Sequence, residues 1–411
     1  MNIFSREFLY AVKEAGGIAR VAAAGYTTWI ILANGDLYGC GYNLYGQQGS
    51  DTSGSGTDVK NFTKRASNVK DVVCSNNTTW YIDNSGDLYG CGDSSQGQQG
   101  NSSTVNVYSF TKRASNVKDV VCSDSTTWYI TTSGDLYGCG KGNYGQQGNN
   151  STSNVYSFTK RASNVKDIVC SDTTTWYITT SGDLYGCGYN GSSNQGDSTS
   201  TDVKVFTQRA SNVKQVSCSS YTTWYIDNSG DLYGCGQNTY GQQGAGNRYT
   251  VYSFTKRASN IIDVSATGGT MTWYITTSGD LYSCGACDYG QQGVGYTTQY
   301  ITTFGKRASN VVKIDSITTS SWYITTSGDL YGCGNCDVGK QGDGQSDYTK
   351  NVTSFTKRAS TVVDVCNGNF TTWYIDKSGD LYGCGYGYYG NQGNGSTSNV
   401  TTFENKMQYI Q

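Results

Sequence analysis

The sequence predicts an all-β protein that folds as a closed β-propeller of four-stranded antiparallel blades. One unit recurs from end to end, and a regular copy, residues 126–148, reads TTWYITTSGDLYGCGKGNYGQQG. Successive copies are 48 to 51 residues apart, and a fixed period of this length is typical of repeat architectures. Eight copies predict eight blades, with seven as the alternative count. The copies are centred on the eight tryptophans of the chain: Trp29, Trp80, Trp128, Trp176, Trp224, Trp273, Trp322 and Trp373.

Each unit contains four candidate strands. In the third unit they are residues 116–122 (NVKDVVC), 127–130 (TWYI), 136–140 (LYGCG) and 155–159 (VYSFT). In the second strand, Trp128 and Ile130 point to one face and Tyr129 to the other. Gly134 lies in the link to the third strand, where a hairpin turn favours a positive φ. Both strand faces carry apolar or small residues, which favours radially stacked blades over the competing open β-solenoid.

Residues 1–17 form a predicted helical cap on a single propeller domain that covers residues 18–411. Ser5 can cap a helix over residues 5–15, and the Gly-Gly pair that follows can end it. A helix of about ten residues is marginal in water by itself. This helix therefore needs a docking surface on the propeller or on a partner.

The chain ends predict how the ring closes. The fourth strand carries a phenylalanine in every later copy, the last being Phe403. Before the first tryptophan, the residue in register is Ala11. We therefore expect a C-terminal strand within residues 400–410 to join the blade that begins near Ile18 and to latch the ring.

The composition disfavours several classes of function. The formal net charge is −2, and the Lys and Arg residues are spread along the repeats, so we expect no binding to nucleic acid. The chain has no histidine, which removes the common Ser-His and Cys-His catalytic pairs. We therefore expect a protein that is not an enzyme and has no cofactor.

The sequence contains no candidate membrane segment. No run of residues approaches the roughly 18 apolar residues that a membrane-spanning helix needs. Near the N-terminus, charges such as Arg6, Glu7 and Lys13 interrupt the apolar residues, so there is no signal-peptide pattern. We expect synthesis in the cytoplasm without a signal peptide and no membrane insertion.

The repeat resembles that of a known family. The repeat pattern is an aromatic or apolar strand, followed by SGDLYGCG and then by N-x-x-G-Q-x-G. This order is similar to the repeat of the regulator of chromosome condensation family, whose members form β-propellers. The resemblance extends from about Ile18 to the C-terminus. This chain has a cysteine in LYGCG where the family commonly has Trp, and a glutamine before the last glycine where the family usually has an apolar residue. The glutamines are Gln48, Gln99, Gln147, Gln195, Gln243, Gln292, Gln341 and Gln392.

Most of the 15 cysteines occupy two positions of the repeat, at the ends of LYGCG and of the first strand. Free cysteines at such positions are typical of small buried side chains. Two more cysteines create the C-x-x-C pairs Cys284/Cys287 and Cys333/Cys336 on adjacent units. Four thiolates can bind zinc, so these pairs are an alternative metal site, although no cysteine-rich knuckle surrounds them.

The sequence Lys-Arg-Ala-Ser recurs near the end of the fourth strand, as at Arg161. One interpretation is a basic ring that binds an acidic partner. The other pairs each arginine with an acid of the repeat, such as Asp135 or Asp119, in structural bridges between blades.

Recognition residues are expected in the segments that differ between copies. These segments follow LYGCG and the Gln-Gly pair, and all connect the third strand to the fourth, so a propeller gathers them on one side. Loops on a rigid scaffold commonly carry binding residues, although drift of exposed loops produces the same variation. The contact candidates are Tyr42, Tyr45, Tyr144, Tyr189, Tyr240, Tyr249, Tyr289, Tyr296, Tyr386 and Tyr389.

These observations predict a binding or scaffold propeller that recognises a protein or a surface glycan through one loop-bearing face. The composition is compatible with a bacterial or phage protein, for example a virion decoration or attachment component within a larger assembly. The family resemblance implies a competing function. The family's namesake is a nucleotide-exchange factor for a small GTPase and binds chromatin, so an intracellular regulator of that kind is the alternative.

Overall fold

The computed structural model describes residues 17–347 and 349–410, except for the side chain of residue 267. Eight four-stranded antiparallel sheets follow one another along this part of the chain. The predicted class, an all-β propeller with eight blades, is therefore confirmed. The predicted N-terminal helix falls within residues 1–16 and so lies outside the described residues.

Every blade is a meander of four consecutive strands. The first strands are β1 (Ile18–Ala24), β5 (Val69–Cys74), β9 (Val117–Cys122), β13 (Val165–Cys170), β17 (Val213–Cys218), β21 (Ile261–Ser265), β25 (Val311–Ile317) and β29 (Val362–Asn367). The second strands are β2 (Thr27–Leu32), β6 (Thr78–Asp83), β10 (Thr126–Thr131), β14 (Thr174–Thr179), β18 (Thr222–Asp227), β22 (Met271–Thr276), β26 (Ser320–Thr325) and β30 (Thr371–Asp376).

The third strands are β3 (Leu37–Gly41), β7 (Leu88–Gly92), β11 (Leu136–Gly140), β15 (Leu184–Gly188), β19 (Leu232–Gly236), β23 (Leu281–Cys287), β27 (Leu330–Gly334) and β31 (Leu381–Gly385). The fourth strands are β4 (Val59–Ala66), β8 (Val107–Ala114), β12 (Val155–Ala162), β16 (Val203–Ala210), β20 (Val251–Ala258), β24 (Thr298–Ala308), β28 (Val352–Ala359) and β32 (Val400–Asn405). Short 3-10 turns occupy Thr267–Gly269, Asp337–Gly339 and Met407–Tyr409.

The core lies between the blades rather than inside them. Trp128 and Ile130 of blade 3 pack against Val165 and Ile168 of blade 4, and all four side chains are buried. Tyr129, on the other face of the same strand, packs against blade 2. Alternation along the second strand therefore serves two junctions, as the sequence predicts, and each fully buried side chain of this size contributes about 1.5–3 kcal/mol.

Glycines allow these junctions to be tight. A Cβ on Gly138 would lie 2.2 Å from the ring of Trp128, across the hairpin of β10 and β11. Gly134, in the turn between those strands, has a φ of 83°, which confirms the predicted turn. The small residues of LYGCG thus leave room for the tryptophan that fills the space between blades.

The ring closes without an exchanged strand. β32 pairs with β31 and completes the last blade, so the prediction that a strand within residues 400–410 joins the first blade is wrong. The four strands of the first blade all come from residues 18–66. The prediction assumed that the phenylalanine strand of a blade precedes its tryptophan strand. In the structure it follows, so the strand that carries Phe62 completes the blade of Trp29.

Closure instead repeats the same backbone link at every junction. The segment after the Gln-Gly pair forms a β-bridge with the fourth strand of the next blade at all eight junctions. At the last junction Asn394 of blade 8 bridges to Asn61 of blade 1, and the N–H of Gly395 donates to the carbonyl of Lys60 at 2.9 Å. The final junction is therefore held by the same contacts as the other seven.

The C-terminal turn adds side chains to that last junction. Met407 and Ile410 pack against a cluster that combines Ile18 of blade 1 with Trp373 of blade 8. Lys406 is fully buried, and its Nζ donates to Glu404 at 2.6 Å. The tail therefore stabilises the closed ring through packing rather than through strand pairing.

Candidate binding face

The two faces of the disk carry different connections. Turns between first and second strands and the long third-to-fourth loops lie on one side, which we call the loop face. Turns between second and third strands and the links between blades lie on the other, the turn face. This division follows from the antiparallel order of every sheet. The variable segments are therefore gathered on the loop face, as the sequence predicts.

Two consecutive buried polar side chains hold each loop in place, and both are glutamines in five of the eight repeats. Gln147 Nε2 donates to the carbonyl of Cys139 in its own blade at 3.0 Å. Gln146 Nε2 donates to the carbonyl of Asp172 in the next blade at 3.0 Å. Both side chains are fully buried. The Gln-Gln-Gly motif thus attaches a long loop to two blades, which makes the loop face a rigid platform.

The cysteine of LYGCG does more than fill space. Cys139 Sγ donates to the carbonyl of Gln98 in the preceding blade at 3.3 Å, and the same contact recurs at the equivalent cysteines of blades 2 to 8. Burial raises the pKa of the Cys139 thiol well above its usual value. These thiols are therefore neutral hydrogen-bond donors between blades, a role that the sequence analysis did not identify.

The strongest feature of the loop face is a group of seven aromatic rings where blade 8 meets blade 1. Each ring lies within 6.5 Å, between centroids, of at least one other ring of the group. We call this group the aromatic patch. Its members are Tyr26, Tyr42, Tyr45, Phe370, Tyr386, Tyr388 and Tyr389.

Tyr26 is the centre of the aromatic patch. Its ring stacks on Phe370 with centroids 4.8 Å apart and an interplanar angle of 3°. It also meets the edge of Tyr389 at 4.8 Å, and Tyr389 lies 4.7 Å from Tyr42. Most of these rings are half-buried, whereas Tyr388 is 63% exposed. The patch is thus an ordered aromatic surface that remains open to solvent.

The pKa is raised, mainly by burial, for three tyrosines of the aromatic patch: Tyr42, Tyr386 and Tyr389. Burial raises the pKa of Tyr42, and the neighbouring Tyr45 and Tyr389 hydroxyls add to the effect. Burial also raises the pKa of the nearby Asp58 carboxyl, which accepts the backbone N–H of Asn43 at 3.0 Å. The patch therefore presents uncharged phenols, donors and acceptors at once, beside one carboxylate.

The structure brings together four of the predicted tyrosines, Tyr42, Tyr45, Tyr386 and Tyr389. The sequence analysis missed the other three members. Tyr26 and Phe370 lie in turns between first and second strands, a position that the loop argument did not consider. Tyr388 lies beside Tyr389 in the variable YGYY segment but is not among the predicted contact residues. Comparison of the turn positions between copies could have found the first two, because the flanking blades carry Asn77 and Thr319 there.

The remaining predicted tyrosines lie away from the aromatic patch. Tyr144 and Tyr189 form a smaller group with Tyr221 on blades 3 to 5, at centroid distances of 5.3 and 6.4 Å. Tyr240 packs against the core between blades 6 and 7. The others are exposed and contribute to neither group: Tyr249, Tyr289 and Tyr296.

The two C-x-x-C pairs do not assemble into one site. Cys284 and Cys333 make the repeat's ordinary hydrogen bonds, to the carbonyls of Gln242 and Gln291. Cys287 and Cys336 are buried on successive blades. Within residues 17–347 and 349–410, no three Cys, Asp or Glu side chains come close enough together to hold a metal ion.

The basic residues pair differently from the prediction. In the Lys-Arg-Ala-Ser segment of blade 3, Lys160 rather than Arg161 reaches Asp135, at 2.8 Å and within one blade. The same Lys–Asp pair recurs in five other blades. Arginines of this segment pair with an aspartate in two blades, Arg209 with Asp197 and Arg358 with Asp343, each at 3.1 Å. Both pairs lie within one blade, so the prediction that these arginines bridge neighbouring blades is wrong there.

A channel runs through the centre of the disk and is lined by the first strands. Its cavity volume is about 500 Å³. Ion pairs join Arg20 to Asp71 and Lys313 to Asp364, from one blade to the next.

None of the helices in the described part of the chain has the length and hydropathy of a membrane-spanning segment.

Taken together, the geometry defines an eight-bladed β-propeller with rigid loops and an aromatic patch on one face. The sequence profile described as Regulator of chromosome condensation (RCC1) repeat matches residues 117–146 and 213–242, each from a first strand to the first glutamine of the Gln-Gln-Gly motif. The predicted resemblance to that repeat family is therefore confirmed.

Solved structures show the same fold at low sequence identity. Human WBSCR16 aligns with a TM-score of 0.64 and 15% identity over 81% of this chain and 96% of its own. Prp20p from Saccharomyces cerevisiae, whose structure was described with its binding to Gsp1p and histones, aligns with a TM-score of 0.63 and 15% identity over 81% and 89%. Yeast RCC1 (Prp20) bound to Kap60 gives 0.62 and 14% over 93% and 84%. No curated protein matches the chain in sequence.

Proposed function

We propose that this protein is a non-enzymatic binding propeller that recognises a protein partner through the aromatic patch. The observation that carries the proposal is the confinement of the patch to one junction. The repeat does not require it: at the position of Tyr42 blades 2 and 7 carry Asp93 and Asn335. Clustered, partly exposed aromatic side chains on a monomer surface are typical of interaction sites.

The chemistry of the patch favours a protein over a glycan. Tyrosine supplies contact area with little loss of conformational entropy and is enriched among the residues that dominate protein interfaces. Prp20p is described as binding Gsp1p and histones, and yeast RCC1 as bound to Kap60, so propellers of this shape bind proteins in other settings. A glycan ligand and a virion setting gain no support from these comparisons and are not part of the proposal.

A matched set of variants tests the proposal. The wild type, the double variant Tyr42→Ala/Tyr389→Ala and the control Tyr249→Ala serve as baits, and any captured protein is then purified and titrated directly. Tyr249 suits as a control because it is 80% exposed and belongs to no aromatic group. The proposal predicts that the double variant loses affinity by about tenfold or more, while the control stays within about twofold. Equal affinity of all three would contradict it.

Regulation of a small GTPase or of a chromatin partner is the alternative function. The repeat family and the fold are compatible with it, but no side chain of this chain is assigned to that activity. Acceleration of nucleotide release from a purified GTPase, lost in a variant of the loop or turn face, would support the alternative.

A further inference from the structure

The turn face carries a second unusual surface, where the first strands that surround the central channel begin. The second residue of each first strand lies at the end of the strand that begins on this face. Four consecutive blades, 2 to 5, carry lysine there, and the other four carry apolar residues. We call the two halves the lysine arc and the apolar arc. In ring order from blade 1 the residues are Ala19, Lys70, Lys118, Lys166, Lys214, Ile262, Val312 and Val363.

Both arcs are accessible. All four side chains of the lysine arc are exposed, and Ile262 and Val312 are 41% and 39% exposed. In blade 2, Val69 directly before Lys70 and Val72 two residues after it are buried between blades. Asp71, between Lys70 and Val72, is partly exposed and pairs with Arg20 of blade 1. The second residue of each first strand is therefore accessible to solvent, and the eight blades together place eight such side chains around the opening.

The charges of the lysine arc are not used to hold the ring together. None of its four lysines forms an ion pair with another residue of the described chain. Lys118 Nζ donates to the backbone carbonyl of Lys166 in the next blade at 3.3 Å, a neutral acceptor rather than a carboxylate. One residue deeper, Gln215 donates to the Asp263 carboxylate at 2.7 Å, and the charges of Lys313 and Lys214 also act on this carboxylate.

The outer rim of the same face behaves differently. There the lysines of the fourth strands pair with aspartates, as Lys112 does with Asp87 at 2.6 Å and Lys160 with Asp135 at 2.8 Å. The lysines of the outer rim thus have carboxylate partners within the described chain, whereas the four lysines of the lysine arc form no ion pair there. The difference points to a ligand that supplies negative charge at the channel mouth.

We propose that the channel mouth binds a polypeptide segment with acidic side chains along one side and apolar side chains along the other. The basis is the placement of the two arcs on opposite halves of one opening. A segment that enters the opening meets both arcs at once, so its acidic side contacts the lysine arc and its apolar side contacts Ile262 and Val312. Such two-sided segments are a recurring form of peptide recognition. This proposal is independent of the aromatic patch, which lies on the other face.

The test uses the full chain and a fluorescein-labelled synthetic peptide of about 18 residues, or five helical turns, with Leu on one side and Glu on the other. Two control peptides have the same composition in scrambled order or Lys in place of Glu. The protein variants are Lys118→Ser/Lys166→Ser in the lysine arc and Ile262→Ser/Val312→Ser in the apolar arc. The matched control Lys112→Ser/Lys160→Ser removes the same charge from the outer rim. Binding is measured by fluorescence anisotropy at two salt concentrations.

The proposal predicts saturable binding of the amphipathic peptide alone. The lysine-arc variant weakens it about fivefold and makes it less sensitive to salt, whereas the rim control stays within about twofold. The apolar-arc variant weakens binding but keeps the salt dependence. Equal binding of the scrambled peptide, an equal effect of the rim control, or no binding by the full chain would each overturn the proposal. So would binding that requires removal of residues 1–16, because it would assign the channel mouth to the chain's own N-terminal segment.

Discussion

The ring of Tyr26 stacks on the ring of Phe370 with centroids 4.8 Å apart and planes 3° from parallel. The two residues are far apart in sequence but occupy the same turn of the repeat, one in blade 1 and one in blade 8. Their contact joins the first and last blades on the loop face. The junction that closes the ring is therefore also the place where the candidate binding surface is built.

Truncation of Tyr26 is expected to weaken this junction. Tyr26→Ala removes the stacked pair and three further ring contacts, so we expect the free energy of unfolding to fall by about 1–2 kcal/mol. Tyr221→Ala is the matched control, because Tyr221 occupies the same turn in blade 5 and its ring is 6.4 Å from Tyr189. Guanidinium unfolding of both variants measures the difference. An effect of Tyr221→Ala as large as that of Tyr26→Ala would show that the aromatic cluster has no special role in closure.

Much of the architecture follows from the sequence because the repeat makes it redundant. One copy is ambiguous, but eight copies of Trp, LYGCG and Gln-Gly leave only a few ways to bury both faces of each sheet. The orientation of Trp128 and the turn at Gly134 could be predicted from strand alternation and from glycine conformations alone. The closure could not, since a repeat of constant period does not show which strand begins a blade.

The candidate site is less predictable, because it depends on which blades become neighbours in the closed ring. Tyr42 and Tyr389 are 347 residues apart in the sequence, yet their rings are 4.7 Å apart. Composition of the loops identifies each as a candidate, but only ring closure brings them together. For the same reason the isolated Tyr249 looks as promising in sequence as Tyr42 does.

Loss of a buried glutamine is expected to destabilise the loop platform. Gln242 Nε2 donates to the carbonyl of Gly269 in the next blade at 2.7 Å, and Gln242→Leu leaves that carbonyl without its donor. We expect a loss of about 1–3 kcal/mol in unfolding free energy, measured by denaturant titration. Gln208→Leu, on the exposed outer strand of blade 4, is the control and is expected to cost less than about 0.5 kcal/mol. Equal stability of Gln242→Leu and the wild type would show that the motif is not what anchors the loop.

The ion pair between the buried Lys406 and the partly exposed Glu404, just before the C-terminal turn, gives an asymmetric prediction. Glu404 accepts hydrogen bonds from Lys406 at 2.6 Å and from Tyr409 at 2.7 Å, and burial lowers the pKa of Lys406. Glu404→Gln leaves a buried ammonium without its carboxylate and is expected to cost about 3 kcal/mol. Lys406→Met removes the buried charge itself, so its thermal unfolding midpoint is expected to fall less than that of Glu404→Gln. The reverse order would contradict the assignment of this pair.

Stability is expected to fall in alkaline solution. Burial raises the pKa of the Cys74 and Cys218 thiols to about 12, and burial followed by the neighbouring Tyr137 phenol raises the pKa of Tyr129 to about 12. An unfolded thiol titrates near pH 8.5, so above that pH the unfolded chain releases protons that the folded chain retains. The contribution of these protonated groups to the free energy of unfolding is therefore fully present below about pH 8.5 and is lost as the pH rises toward 12. Each such thiol lowers the free energy of unfolding by up to about 1.4 kcal/mol per pH unit in this range.

Denaturation midpoints between pH 7 and 11, measured with a reductant present, check this expectation. A variant with Cys218→Ala should show a shallower decline than the wild type. A midpoint that stays constant or rises above pH 9 would mean that the first-strand thiols of Cys74 and Cys218 titrate as solvent-accessible groups.

The central claim is that a protein partner binds across the junction of blades 8 and 1. Hydrogen–deuterium exchange of the complex with the captured partner tests it most directly, since it reports which backbone segments the partner covers. The account predicts new protection in the loops and turns that carry Tyr26, Tyr42, Phe370 and Tyr389, with little change at Tyr249. Protection confined to the turn face or to the outer rim, with unchanged exchange at these four positions, would contradict it.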